Sequence, residues 1–145
     1  MTHVNPADET LRRLLTLART IAVVGASSNP GRDSHGIFRK LQSAGYRVVP
    51  VNPNESEVLG ERAYPSLEEV PDPVDVVAVF RRAGDTPAIA DSAARIGAGA
   101  LWLQQGIVSQ EAAARAEAGG LLVVMDRCIG ATHSLLGIPK RLPGA

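Results

Sequence analysis

The residues best suited to chemistry cluster in one short segment, Gly25-Ala26-Ser27-Ser28-Asn29-Pro30, with Arg32 just beyond it. Gly25 permits a sharp turn and lets backbone approach a ligand. Ser27 and Ser28 offer hydroxyls, Pro30 restrains the loop, and Arg32 supplies a cation. If a helix follows, its first N–H groups favour an anion at the same place. The chemistry expected is phosphate binding, by Gly25, Ala26, Ser27, Ser28, Pro30 and Arg32. The plainer alternative is an ordinary strand–helix turn in which a serine caps the helix.

Four further segments carry functional groups. Asn52-Pro53-Asn54 stands where a NAD site places an acid for the ribose hydroxyls. Neutral residues there permit a ribose phosphate that a carboxylate would repel. The other reading of Asn-Pro is a plain turn. Phe80-Arg81-Arg82 follows an apolar run, and two arginines could hold phosphates or simply be solvated charges. Trp102-Leu103-Gln104-Gln105-Gly106-Ile107 offers two side-chain amides, of which Gln105 is the better ligand candidate. Trp102 reads as core. Cys128, the single cysteine, is a candidate thiol, although a lone cysteine is more often a small buried hydrophobe. One cysteine excludes an internal disulfide, and the three histidines show no metal-ligand spacing. No nucleophile–base arrangement is visible.

Around these groups, short apolar runs alternate with amphipathic segments. Strands are expected at 21–24, 46–51, 74–80, 100–103 and 121–125. Helices are expected at about 7–19, 34–44, 86–96 and 109–118. Asp33 or Ser34 is a candidate cap for the second helix, Ser109 for the fourth, and Ser66 with Glu69 forms a capping-box pattern. The third strand is apolar on both faces apart from Asp75. Alternation of this kind predicts an α/β fold, a Rossmann-like doubly wound parallel sheet of five strands with helices on both faces. The order chosen is 3-2-1-4-5, with the ligand at the switch point between strands one and four. A single domain over 1–145 is expected, residues 1–19 forming an N-terminal helix packed on it.

Composition agrees. Fifteen basic residues cancel fifteen acidic ones, so no global field draws the chain to nucleic acid or an anionic membrane. At 45% hydrophobic and 3% aromatic, it has material for a core but few stacking platforms for single-stranded nucleic acid. No apolar run reaches membrane-spanning length and no signal-peptide pattern opens the chain, so a cytoplasmic location is expected.

Taken together, residues 23–53 with the LWLQQGI and VVMDRCI segments closely resemble the small stand-alone CoA-binding proteins of the YccU-like family. The likeness runs from about Ile21 to Ile129 and extends to the CoA-binding portion of the succinyl-CoA synthetase α subunit. It implies a Rossmann-type fold and coenzyme A, or an acyl-CoA, as ligand. By that resemblance Gly25, Ser27 and Ser28 line the pyrophosphate, and Pro53 with Asn52 and Asn54 lies near the adenosine 3′-phosphate. Phe80 and Arg81 border the adenine or pantetheine, Gln105, Gly106 and Ile107 contact the pantetheine arm, and Cys128 lies near the thiol end. One departure is Asn54, where the family often carries Lys or Arg. The synthetase's phosphohistidine domain and partner subunit have no counterpart here, so ligase activity is not implied.

The expectation is therefore a CoA-binding module without independent catalysis. Its rivals are an NAD(P)-binding redox sensor or oxidoreductase, a scaffold with a relict nucleotide pocket, and a thiol function of Cys128. A homodimer or another protein partner is compatible with a domain of this class.

Overall fold

The computed structural model describes residues 2–142. Met1 and residues 143–145, the ends of the expected domain, lie outside the described residues. The chain runs through α1 (Asp8–Leu17), β1 (Thr20–Val24), α2 (Asp33–Ser43) and β2 (Arg47–Val51). A small antiparallel hairpin follows, β3 (Glu57–Val58) with β4 (Glu61–Arg62), then a 3₁₀ turn at Leu67–Glu69. The second half alternates regularly: β5 (Val76–Val79), α3 (Thr86–Arg95), β6 (Ala100–Leu103), α4 (Gln110–Ala118), β7 (Leu122–Val124) and α5 (Ile129–Leu135).

Five strands form one parallel sheet in the order β2-β1-β5-β6-β7. The Rossmann-like fold is the expected one, but the place of one strand differs. The third long strand, β5, pairs with β1 and not with the outer side of β2. The outer side of β2 is met instead by Tyr64, through a single parallel bridge to Val51. The stretch between β2 and β5 thus fills the edge position with one residue, and β5 takes the interior. Burial explains the choice: all four residues of β5 are buried, whereas β2 begins with exposed Arg47. A strand apolar on both faces belongs inside a sheet covered on both sides. The switch point accordingly lies between β1 and β5, not beside the fourth strand.

Two apolar layers sandwich the sheet. On one face Leu11 and Leu15 of α1, Phe38 and Leu41 of α2 and Ile129 of α5 pack with Ile21, Val23 and Trp102. Complete burial of a side chain such as Phe38 contributes about 1.5–3 kcal/mol. On the other face α3 and α4 present alanines, Ala90, Ala93, Ala112, Ala113 and Ala116, to Val77, Leu101 and Val123. Small residues bring these helices close: a Cβ on Gly119 would stand 2.6 Å from the Cβ of Ala94.

Asp75, the acid before β5, has a structural task. Its carboxylate accepts from the N–H groups of Arg19 (2.8 Å) and Thr20 (3.0 Å), holding the entry to β1. Its carbonyl accepts from Gly99 and Ala100 at 3.0 Å each. Asp75 therefore ties three strands at the end of the sheet opposite the candidate site. At the other edge, Asn5 donates to the carbonyl of Met125 (2.8 Å) and accepts from its N–H (2.9 Å), so the N-terminal segment is held just past the end of β7.

Ser109 caps α4 as expected, accepting from the Ala112 N–H at 3.0 Å. Neither Asp33 nor Ser34 caps α2. The helix begins at Asp33 itself, Arg32 holds the cap position, and no side chain bonds the first turn. The tail forms a helix, α5, where the sequence pattern predicts none. Its seven residues are short for a periodic signal, and burial of Ile129, Gly130, Thr132 and His133 supports it.

Candidate functional site

The carboxyl ends of β1, β5 and β6 open into a cleft beside the start of α2. β1 ends at Gly25, whose φ of +88° suits glycine, and whose N–H donates to the Val51 carbonyl at 2.9 Å. A Cβ here would stand 2.5 Å from the carbonyl oxygen of Phe80. Glycine lets the exits of β1 and β5 touch, and so brings the loop after β1 against Phe80 and Arg81.

That loop is built on short-range side-chain bonds. The Ser27 hydroxyl accepts from the Asn29 N–H (3.0 Å), and Asn29 Oδ1 accepts from the Gly31 N–H (2.9 Å). His35 donates through Nδ1 to the Ser27 carbonyl (2.9 Å), which anchors the loop to the first turn of α2 and sets the imidazole tautomer. The α2 N-terminus faces the cleft without a side-chain cap. A helix leaves its first N–H groups without intrahelical partners, and they favour an anion.

The exit of β2 is fastened to the same loop twice. Asn52 Nδ2 donates to the Ala26 carbonyl at 2.8 Å. Glu55 reaches back over three residues: its Oε2 accepts from the Ser28 N–H at 2.7 Å, and the Ser28 hydroxyl stands 2.9 and 3.0 Å from its two oxygens. The N–H groups of Asn54 and Glu55 turn onto Asn52, at 2.9 Å to Oδ1 and 3.3 Å to the carbonyl.

Three connected cavities follow. The widest, about 800 Å³, runs from Pro30 and Arg32 past Phe80 and Arg81 to Gln105, Ile107 and Cys128. The second, about 510 Å³, is bordered by Gly25, Ser27, Arg32, Asn52, Phe80 and Arg81. The third, about 410 Å³, continues over Gly25, Asn52, Pro53 and Arg81 towards Ile89 of α3. Arg81 belongs to all three, pairing with Asp85 at 3.1 Å.

Ten of the fourteen residues expected to hold the ligand thus line these adjoining cavities: Gly25, Ser27, Pro30 and Arg32; Asn52 and Pro53; Phe80 and Arg81; Gln105 and Ile107; Arg82, Gln104 and Cys128 also border the first of them. The other four do not line them. Ala26 is fully buried behind the loop, and Ser28 is taken by Glu55. Asn54 turns onto Asn52, and Gly106, at a φ of +86°, gives its N–H to Asp126 Oδ1 at 2.8 Å. Gln104 is buried and joins α5 to the sheet by accepting from the Ile129 N–H at 3.0 Å. Trp102 is core, as read, with its indole N–H on the Arg127 carbonyl at 2.9 Å. Cys128, half-buried, caps α5 through a contact of 3.4 Å from the Ala131 N–H to Sγ.

The sequence reading missed Gly31, Asp33, Gly36 and Ile37 of the cleft wall, which sit on the exposed side of the α2 entry. A helical period from Asp33 would have placed Asp33, Gly36 and Ile37 on one face. It also missed Glu55, because a carboxylate four residues past the end of β2 reaches the loop after β1 only through a fold-back that no period encodes.

Fold and cleft define a Rossmann-like α/β protein with an open cleft at the switch point of its sheet. The chain belongs to the CoA-binding domain family, whose model matches residues 19–134. Over 131 residues it is 40% identical to the uncharacterized protein YneT of Bacillus subtilis, covering 90% of this chain and 97% of that one. It is 42% identical over 62 residues to the α subunit of an ADP-forming acetate–CoA ligase II of Pyrococcus furiosus, a match covering 42% of this chain and 14% of the ligase subunit. Among solved structures, a hypothetical protein from Pyrococcus horikoshii superposes with a TM-score of 0.88 at 37% identity, over 94% of this chain and 99% of that one.

Proposed function

We propose that the cleft binds coenzyme A or an acyl-CoA, and that the chain acts as a binding module without catalysis of its own. The observation that carries the reading is the continuous cleft at the switch point of a CoA-family domain, with an uncapped helix start at one end and a thiol at the other. The donor set suits an extended nucleotide. Gly25, Ser27 and the α2 N-terminus would receive the pyrophosphate, with Arg32 and Arg81 as countercharges. Gln105 and Ile107 would border the pantetheine arm, an amide-bearing chain that needs both donors and apolar contact. Asn52 and Pro53 would adjoin the nucleoside.

Calorimetric titration with CoA and acetyl-CoA, set against NAD and NADP, tests this. Saturable binding of the CoA ligands is expected, and it should weaken at least tenfold in Ser27→Asp, since a carboxylate in the loop repels the pyrophosphate. Binding of NAD or NADP alone would overturn the assignment, and unchanged affinity in Ser27→Asp would overturn the pose.

A further inference from the structure

Two loops meet at the end of the cleft where Gln105, Ile107 and Cys128 stand together. The first follows β6 and makes a tight turn at 104–107, in which the Gln104 carbonyl accepts from the Ile107 N–H at 2.9 Å. Gly106 holds the third place of that turn at a φ of +86°, and Gln105 holds the second, exposed at the cleft wall. The second loop follows β7 and enters α5 through Asp126, Arg127 and Cys128. Asp126 joins the two loops twice. Its Oδ1 accepts from the Gly106 N–H at 2.8 Å, and its own N–H donates to the Ile107 carbonyl at 3.2 Å. The backbone of Asp126 has a φ of +61°, a conformation that residues with a Cβ rarely adopt. Backbone strain of this kind persists where the surroundings enforce it, and it clusters around ligand clamps. Deeper in, the same loops are tied by the Ile129 N–H on Gln104 Oε1 and by the Trp102 indole on the Arg127 carbonyl. Those two bonds fix α5 to the sheet, whereas the Asp126 carboxylate reaches the exposed tip of the turn.

We propose that Asp126 is a positioning residue for the thiol-bearing arm of the ligand: it locks the turn at 104–107 so that the Gln105 amide meets an amide of pantetheine. The inference rests on the CoA reading of the cleft. Asp126 acts through the turn and does not itself touch the ligand. Without the clasp, the peptide groups on either side of Gly106 are free to rotate, since glycine restrains them least, and Gln105 loses its fixed direction. A ligand that meets a mobile amide must order it on binding, which weakens affinity. Loss of one hydrogen bond to a charged acceptor corresponds to about tenfold.

The test is titration with CoA of the wild type, Asp126→Ala, Asp126→Asn and Asp126→Gly, with the melting transition of each recorded beside it. Asp126→Ala should lose about tenfold in affinity. Asp126→Asn keeps an oxygen acceptor and tolerates a positive φ, so it should stay within about threefold of the wild type. Asp126→Gly removes the carboxylate and the backbone strain together. It should melt above Asp126→Ala yet bind CoA as weakly, which separates positioning from stability. In a Gln105→Ala background, Asp126→Ala should cost less than about twofold, because the group it positions is already gone. Wild-type affinity in Asp126→Gly would overturn the inference while leaving the CoA cleft standing. So would an Asp126→Asn as weak as Asp126→Ala, or a full loss that persists in the Gln105→Ala background. If the wild type binds no CoA, the inference falls together with the reading of the cleft.

Discussion

Gly25→Ala tests whether the contact between the exits of β1 and β5 builds the site. The new methyl carbon would lie 2.5 Å from the Phe80 carbonyl oxygen, 3.1 Å from its carbon and 3.2 Å from Arg81 Cδ. The first two neighbours are backbone, so they cannot rotate away. The φ of +88° adds a second penalty, about 1–2 kcal/mol for a residue with a Cβ. Forced overpacking costs about 1–3 kcal/mol more. A loss of about 2–5 kcal/mol follows, which at a urea m-value of about 2 kcal/mol/M moves the unfolding midpoint down by about 1–2.5 M. Because relief requires the loop to move off Phe80, CoA affinity should fall as well. Gly36→Ala is the control. Gly36 lies in α2 with open space around its Cβ position, so alanine should stabilise the protein by about 0.5–1 kcal/mol through helix propensity alone. Equal midpoints for Gly25→Ala and the wild type would refute the argument that glycine is required there.

Asp75→Ala should destabilise the fold by about 2–4 kcal/mol, because it strips the acceptor from two N–H groups, one of them on buried Thr20; denaturant titration measures it, and Asp75→Asn should recover part of the loss. His133 governs a pH dependence. Burial, with a smaller contribution from Lys40, holds its pKa below the ordinary value, and its Nε2 is buried without a hydrogen-bond partner. The folded state therefore binds the proton less readily than the unfolded chain. The stabilising effect is complete above the ordinary histidine range and is lost as pH falls from about 6.5 towards the depressed value. Urea midpoints should drop across that window, and His133→Phe should flatten the drop.

Much of the fold was legible because its signals are local. Every strand of the sheet coincides with a short apolar run, β-branched in all but β6, and Gly25, Gly45 and Gly120 punctuate the elements at φ values of +88°, +95° and +89°. The order of the strands was not legible in this way. Placing β5 beside β1 depends on which strands are covered on both faces, a property of the assembled layers. The run of Val76–Val79 carried the clue, since wholly buried strands belong in the interior. Likewise α5 is too short to announce itself, and Gly130 marks where it docks: a Cβ there would lie 2.8 Å from Ile37 Cδ1, so α2 and α5 approach closely at this point.

The candidate site divides along the same line. Residue type and position after an apolar run were enough to mark Gly25, Ser27, Arg32, Phe80, Arg81 and Gln105, because a parallel sheet sends all its strand exits to one edge. Residue order alone set that edge and the chemistry arrayed along it. Which groups remain available there depends on the folded loops. Ser28 offered a hydroxyl and is held by Glu55, a residue the sequence pattern does not mark, and Gln104 offered an amide whose oxygen is taken by the Ile129 N–H. The physical reason is that a hydrogen bond between residues 27 positions apart depends on loop closure, and loop closure is set by what packs beneath it.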